Sequence, residues 1–312
     1  MTLTAAPDLD PVLSLNRLTK RFGEHQGIED INLQICAGEV FGFLGPNGAG
    51  KSTTIRLAVG LTHPTGGSVR VLGMDPVRDG ARLRRDVGYL PGELALFGRL
   101  SGKETLERFS RARGLTDTTY RDQLVERFRA ELDRPVRMLS KGNRQKLGLV
   151  LAFMHRPRLL VLDEPTSGLD PLLQDEFTRL LAESAAAGGT VFLSSHDLDE
   201  VQRVVQRLAI IRDGTIVTVD SVEGLRARAP RTVELRLAHP QDAYGLDRIP
   251  GVSLMQVAPD RVTLRVTGPL GPLLKEAAQR DVQDMTATPS DLDEVFRTFY
   301  AEGPDDQGAD VH

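Results

Sequence analysis

The run Gly45-Pro46-Asn47-Gly48-Ala49-Gly50-Lys51-Ser52 carries the clearest chemical signal in the chain. It fits G-x-x-x-x-G-K-[ST], a spacing suited to holding phosphate. Glycines at these positions let backbone N–H groups turn inward around an anion without Cβ clashes. Lys51 is placed to reach β- and γ-phosphates, and the Ser52 hydroxyl to ligate Mg²⁺. The loop follows the apolar run Val40–Leu44 and opens a helix predicted over Ser52–Val59. That helix N-terminus would add further donors and the positive end of a dipole, with Asn47, Ala49 and Thr53 lining the same cradle.

A second signal is Leu159-Leu160-Val161-Leu162-Asp163-Glu164, an apolar strand ending in two carboxylates. Alone, such an ending reads as a solvated strand terminus. Paired with Lys51 and Ser52, it acquires roles. Asp163 can hold Mg²⁺ through water. Glu164 can orient and polarise a water for attack on a γ-phosphate. A third signal is Ser140 with Gly142, where a loop opens a helix predicted over Asn143–Met154. A hydroxyl, exposed N–H groups and a helix N-terminus together make an anion site, although Ser140 alone would be an ordinary N-cap.

The elements that must position these groups alternate. Val12–Leu15, Ile31–Ile35, Val40–Leu44, Val69–Leu72, Val87–Leu90, Leu159–Leu162, Val191–Ser194 and Leu208–Ile211 read as strands, with amphipathic helical stretches between several of them. This predicts an α/β domain with a mostly parallel, buried central sheet. Residues 94–157 read as charged amphipathic helix inserted into it. The composition shifts over Ser221–Arg231. Beyond it the pattern predicts strand 232–238, helix 240–247, strand 252–257, strand 261–267, helix 270–279 and strand 281–286. That β-α-β-β-α-β order is a ferredoxin-like α+β arrangement. A last helix is expected from Ser290, where Asp293 completes a capping box and Leu292, Val295, Phe296 and Phe299 share one face. Residues 1–11 are expected to form a loose leader, and 302–312, acidic and Gly-rich, to be disordered.

Composition narrows the function classes. The 312 residues carry 39 basic and 43 acidic side chains, a net charge of −4. That argues against a protein whose main task is to coat nucleic acid. No run approaches the ~18 apolar residues that span a bilayer, so a link to a membrane is expected through a partner. The single cysteine, Cys36, is expected to be a buried apolar thiol.

Taken together, these motifs resemble those of the ATP-binding subunit of an ABC transporter, a P-loop NTPase fold with a helical subdomain. The resemblance covers residues 12–225, with the helical subdomain at 94–157 and an accessory or regulatory domain at 232–301. Leu139-Ser140-Lys141-Gly142-Asn143-Arg144-Gln145 is similar to the family signature Leu-Ser-Gly-Gly-Gln, with Lys141 and Asn143 departing from it. The resemblance implies that Ser140 and Gly142 bind the γ-phosphate of ATP held by a second subunit, so that two chains sandwich two ATP. Ser167-Gly168-Leu169-Asp170 matches the D-loop, which communicates across that dimer, and Asp170 is carried with the trans site. His196, in Leu193-Ser194-Ser195-His196-Asp197, matches the switch histidine that senses the γ-phosphate. Phe22 matches the aromatic that stacks on adenine, a contact worth ~1–3 kcal/mol.

One motif departs. Where the family has a glutamine reaching Mg²⁺, the chain reads Tyr89-Leu90-Pro91-Gly92-Glu93. Gly92 has no side chain to do this. Either Glu93 offers an oxygen to the metal, or Glu93 is solvated and water fills the shell.

The resemblance implies ATP hydrolysis by Lys51, Glu164 and His196 with Mg²⁺. It also implies partnership with a second copy and an integral membrane permease, and a place on the inner face of the cell membrane. The Ser-Lys-Gly-Asn-Arg-Gln-Lys form and the extra C-terminal domain resemble the subgroup that exports drugs, antibiotics, ions or lipids. The alternatives are an importer ATPase, and a soluble ABC ATPase acting on nucleic acid or ribosomes. The latter usually has two phosphate loops in one chain or a long coiled coil between its nucleotide motifs.

Overall fold

The structure, a computed structural model, describes residues 11–197, 202–239 and 243–289. The predicted leader, the helix from Ser290 and the tail at 302–312 lie outside these residues, apart from residue 11. Two compact units are distinguished, Met1–Val219 and Asp220–His312.

The first unit begins with β1 (Leu13–Phe22), β2 (His25–Ile35) and β3 (Val40–Leu44), followed by α1 (Lys51–Ala58), β4 (Gly66–Val71), α2 (Gly80–Asp86) and β5 (Val87–Leu90). A helical stretch follows, comprising α3 (Gly102–Arg113), α4 (Thr119–Phe128), a 3₁₀ turn at Val136–Met138, and α5 (Lys141–Phe153). The chain then returns through β6 (Leu159–Asp163), α6 (Pro171–Ala186), β7 (Thr190–Ser195), β8 (Arg207–Arg212) and β9 (Thr215–Ser221).

The central sheet has the order β5-β6-β7-β3-β8-β9. The pairs β5–β6, β6–β7, β7–β3 and β3–β8 are parallel. Every residue of β3, β6 and β7 is buried. Their near-continuous apolar sequences are what a parallel sheet covered on both faces requires. Phe192 of β7 anchors this core, its ring 5.5 Å from that of Phe43 and 6.3 Å from that of Phe41.

Register has a functional consequence. Leu90 lies opposite Leu162, Asp163 opposite Ser194, and Ser195 opposite Leu44. Four parallel strands therefore end at one edge of the sheet. The loops after them, at 45–50, 91–93, 164–170 and 196–197, start side by side. Carboxyl ends of parallel strands are where open α/β sheets bind ligands.

Two features differ from the sequence expectation. First, β1, β2 and β4 do not join the parallel sheet. They form a separate antiparallel sheet, ordered β2-β1-β4. Apolar periodicity reports a strand but not its partner, and these strands alternate buried and exposed positions as one-sided antiparallel strands do. Second, β9 was missed: its sequence, Thr-Ile-Val-Thr-Val-Asp-Ser, is rich in β-branched residues, but it is a short edge strand whose side chains are half-exposed or exposed.

The helical stretch is built from explicit local devices. Ser101 caps α3: its hydroxyl accepts from Glu104 N–H, and Glu104 accepts from Ser101 N–H at 2.7 Å. This capping box contributes about 1 kcal/mol. Gly114, at φ 68°, ends the same helix. Arg127 of α4 then grips α6, pairing with Glu176 and, bidentately, with Glu183. Two carboxylates around one guanidinium raise the Arg127 pKa and hold Glu183 below its ordinary value.

In the second unit α7 (Val222–Arg228) precedes β10 (Arg231–Leu237), β11 (Val252–Ala258), β12 (Arg261–Val266), α8 (Gly271–Ala277) and β13 (Val282–Pro289). The sheet order is β11-β12-β10-β13, with every pair antiparallel. Val233, Leu235, Val262, Leu264 and Leu273 form its own small core. The first expected helix differs. Within 240–247 the described residues give 3₁₀ conformation at Ala243, a turn at 244–245 and the start of a short 3₁₀ helix, Leu246–Arg248, and residues 240–242 lie outside the description.

Candidate active site

The loop 45–50 works because side chains are missing from it. A Cβ on Gly45 would press on Ile211, and one on Gly50 would stand 2.5 Å from Ile28 Cγ2. Gly48 and Gly50 have φ of 85° and 106°, the left-handed region open to glycine. Gly48 is exposed, with open space where a Cβ would stand. Gly50 is the N-cap of α1 and brings no capping side chain, nor is there an acidic residue in the first turn. The first N–H groups of α1, from Lys51, Ser52 and Thr53, therefore have no local acceptor in the helix and suit an anion. Asn47 is exposed at the loop tip and Ala49 is buried beneath it.

Lys51 is buried, and its Nζ donates to the carbonyls of Gly45 at 2.5 Å and Pro46 at 3.2 Å. The same Nζ lies 3.3 Å from Glu164 Oε1. Backbone carbonyls and one carboxylate hold an ammonium that would be costly to bury alone. They also aim it across the mouth of the loop.

Asp163 ends β6, buried at 2% exposure. Its Oδ1 accepts from Ser194 Oγ at 2.6 Å. The same Ser194 oxygen accepts from Glu164 N–H at 3.1 Å. One hydroxyl on the neighbouring strand thus orients both carboxylate-bearing residues. Sequence reading missed Ser194. A polar residue inside the apolar strand Thr-Val-Phe-Leu-Ser-Ser, in register with Asp163, was the available signal.

Glu164 itself sits at φ 49°. A left-handed backbone at a non-glycine residue costs roughly 1–2 kcal/mol, and such strain clusters at functional sites. Its Oε2 lies 2.7 Å from His196 Nδ1. Its Oε1 is buried and makes no hydrogen bond, although Lys51 stands nearby. A carboxylate oxygen that is ion-paired but makes no hydrogen bond, beside a phosphate-type loop, is suited to accepting from a water.

Mg²⁺ would find hard oxygen donors here in Asp163 and the Ser52 hydroxyl, a set that fits this ion when phosphate oxygens complete the shell. Among the described residues no group of three or more His, Cys, Asp or Glu side chains gathers as an all-protein metal cage. On the opposite side, Gly92 abuts the same carboxylate: a Cβ there would lie 3.3 Å from Asp163 Oδ2. Glu93 is exposed.

Phe22, 53% exposed, ends β1 with its ring under the ammonium of Lys20 at 5.2 Å. It packs so close to Gly27 that a Cβ there would meet the ring at 2.8 Å, and Gly27 O lies 3.2 Å from a Cβ built on Gly50. The aromatic face and the phosphate loop are therefore neighbours through one glycine.

The residues of the expected second anion site lie where α5 begins. Ser140 is the N-cap of α5, accepting from Asn143 N–H at 3.2 Å, so the helix starts two residues earlier than expected. Gly142 faces the backbone of Gly168, whose oxygen would lie 2.7 Å from a Cβ. Asp170 caps α6 by accepting from Leu173 N–H at 3.0 Å. Cys36, expected to be buried, is half-exposed. Its N–H, not its thiol, is engaged, donating to Glu39 Oε2. The residue leaves β2 at its last turn into solvent, where burial of the strand face ends.

Comparison with known proteins decides the family. Residues 28–167 match the family model described as ABC transporter. The bacitracin transport ATP-binding protein BcrA of Bacillus licheniformis is 31% identical over 241 residues, covering 76% of this chain and 79% of that protein. The chain belongs to the ATP-binding subunits of ABC transporters. A solved ATP-binding subunit of an ABC transporter superposes with a TM-score of 0.65 at 30% identity, over 69% of this chain and 92% of that one. The cassette MJ0796, solved as a dimer in a post-hydrolysis state with ADP and phosphate, shares the fold at TM-score 0.61 and 23% identity, over 67% of this chain and 98% of that one. As a member, this cassette is a nucleotide-binding ABC ATPase. No helix among the described residues is long and apolar enough to cross a membrane.

Proposed function

We propose that this subunit hydrolyses Mg-ATP as one half of a two-chain sandwich and drives export of a small molecule through a separate membrane subunit. The observation that carries the catalytic part is Glu164. Its Oε2 meets His196 Nδ1, and its Oε1, ion-paired with Lys51 Nζ at 3.3 Å but making no hydrogen bond, keeps lone-pair capacity to accept from water. An ionised carboxylate can only accept, so Nδ1 of His196 carries the proton, and Nε2 is left for a γ-phosphate oxygen.

The steps assigned to this chain's residues follow. The Gly45–Gly50 loop and the first N–H groups of α1 cradle the phosphates of substrate ATP. Lys51 moves from the Gly45 and Pro46 carbonyls to the phosphate oxygens as charge develops there. Glu164 aligns a water and accepts its proton. The water oxygen bonds to the γ-phosphorus as the bond to the β–γ bridging oxygen breaks, leaving ADP and phosphate. Phe22 stacks on the base. Asp163 and Ser52 would hold Mg²⁺, which supplies neutralisation of phosphate charge. Ser140, Gly142 and Asp170 act on nucleotide held by the second copy, so ATP binds the closed pair better than the open one.

Export, over import or a soluble role on nucleic acid, is favoured by the Ser-Lys-Gly-Asn-Arg-Gln-Lys signature form, the C-terminal four-stranded domain and the likeness to a bacitracin transport protein. The C-terminal unit is assigned an accessory role in dimer contact or regulation. The place of the whole chain on the inner face of the membrane would follow from binding a permease.

The test is capture of tagged Glu164→Gln chain with Mg-ATP from detergent-solubilised membranes of the source cell. Recovery of a polytopic membrane protein that depends on ATP supports the reading, and loss of export of a drug or lipid from cells lacking that protein sets its direction. Ribosomal or DNA-bound partners without a membrane protein would overturn it.

A further inference from the structure

The signature turn of this chain departs from its family form at Lys141 and Asn143, and both departures are engaged. Lys141 Nζ donates to Ser167 Oγ at 2.9 Å. Asn143 Nδ2 donates to Glu131 Oε2 at 3.1 Å. The contact of Lys141 is reinforced along its length. Its Cγ and Cδ lie 3.6 Å from a Cβ built on Gly168, so the alkyl stem covers that glycine's backbone. One helical turn later on the same face, buried Gln145 donates to the carbonyls of Pro165 at 2.8 Å and Glu164 at 3.3 Å. Residues four apart on a helix are neighbours. Lys141 and Gln145 are therefore two rungs of one ladder. The ladder joins the N-terminal turn of α5 to the loop 164–170, which begins with the strained Glu164 and ends with the Asp170 cap.

We propose that Lys141 is a positioning residue that straps the signature turn to the loop carrying Glu164, so that engagement of Ser140 and Gly142 sets the geometry of the carboxylate in the same chain. The inference rests on the sandwich reading above. There, Ser140 and Gly142 meet the second copy's nucleotide while Glu164 acts on this chain's own. The strap thus makes one chain a mechanical link between two nucleotides. Without Lys141 the side-chain tie between α5 and this loop rests on Gln145, and the segment Ser167–Gly168 is held less firmly against the signature turn.

The test uses the full chain and four variants: Lys141→Met, Lys141→Arg, Ser167→Ala and the double variant Lys141→Met/Ser167→Ala. Lys141→Met is expected to speed amide exchange at Ser167 and Leu169, whose N–H groups bond within the loop to Glu164 O and Thr166 O. In ATPase assays, Lys141→Met and Ser167→Ala should each lower kcat by about three- to tenfold, the range for one hydrogen bond. KM for ATP should stay unchanged, and the Hill coefficient should fall toward 1. The double variant should be no worse than either single one, because both remove the same bond. Lys141→Arg should recover most of kcat.

Unchanged amide exchange in Lys141→Met would overturn the strap, whatever the assay of turnover shows. So would multiplicative losses in the double variant. A raised KM in Lys141→Met but not in Ser167→Ala would make Lys141 a direct phosphate ligand and refute the positioning role. Failure of the broader reading is separate, since it shows as a wild-type chain that never pairs around ATP while the exchange difference persists.

Discussion

Glu164 Oε2 and His196 Nδ1 stand 2.7 Å apart, joining the end of β6 to the loop after β7. The contact puts an acceptor-only carboxylate against a ring nitrogen that must donate, which fixes the tautomer of the imidazole. Removing either partner has a different signature. Glu164→Gln should keep ATP affinity and lose about 10²–10⁴-fold in kcat, the contribution of a positioned base. His196→Ala leaves the base in place and should lose about 10- to 100-fold, the loss of a hydrogen bond to a charged group. Rapid-quench measurement of a single turnover separates the two, and equal losses would contradict the assigned roles.

Ser194 supports two groups with one oxygen. Ser194→Ala should therefore weaken Mg²⁺ affinity more than ATP affinity. Supporting hydrogen bonds to metal ligands are typically worth 10- to 100-fold in metal affinity. The free-Mg²⁺ concentration for half-maximal ATPase should rise by about tenfold. Ser194→Thr should recover part of the effect, and an unchanged Mg²⁺ requirement would show that the hydroxyl serves folding alone.

Gly50→Ala combines two penalties: φ of 106° and a Cβ 2.5 Å from Ile28 Cγ2. The expected result is a loss of about 2–4 kcal/mol of stability, with loss of nucleotide binding. Gly48→Ala has strain without the clash, since nothing lies within 4 Å of its Cβ. It should cost about 1–2 kcal/mol. Denaturant midpoints of the two variants give the comparison, and Gly48→Ala as damaging as Gly50→Ala would refute the packing argument.

His155, at the end of α5, predicts a pH effect far from the phosphate loop. Burial first, and then the charge of Arg113, lower its pKa to about 4, opposed by its hydrogen bond to Val87 O. Its Nδ1 is buried and unpartnered. A lowered histidine pKa means that the unfolded chain takes up the proton first. The stability due to neutral His155 is thus complete above about pH 6.5 and is lost as pH falls toward 4. Allowing for partial exposure, the effect is on the order of 2 kcal/mol. Between pH 6.5 and 4 the melting temperature of wild type should fall further than that of His155→Gln, and parallel curves would refute the assignment.

Much of this was legible before the structure because phosphate chemistry needs fixed backbone. Gly45, Gly50, Lys51 and Ser52 carry the spacing of one such phosphate-binding loop. Asp163 and Glu164 were readable because an apolar strand ending in acids is conspicuous beside such a loop. Ser194 was not, since its role depends on cross-strand register with Asp163, a relation between residues distant in sequence. The separate sheet of β1, β2 and β4 was hidden for the same reason. Lys141 looked only like a departure from a motif, because its partner Ser167 lies 26 residues onward.

The edge strand β9 has a practical consequence for dissecting the two units. It begins at Thr215 and covers one side of β8, whose central residues Leu208–Ile211 are all buried. A chain cut before Thr215 would leave this row of N–H and C=O groups bare on a strand of high β-propensity, a template for intermolecular pairing and aggregation. A chain ending after Ser221 keeps the edge covered. Solubility of the shortened cassette therefore turns on seven residues at the sheet's edge.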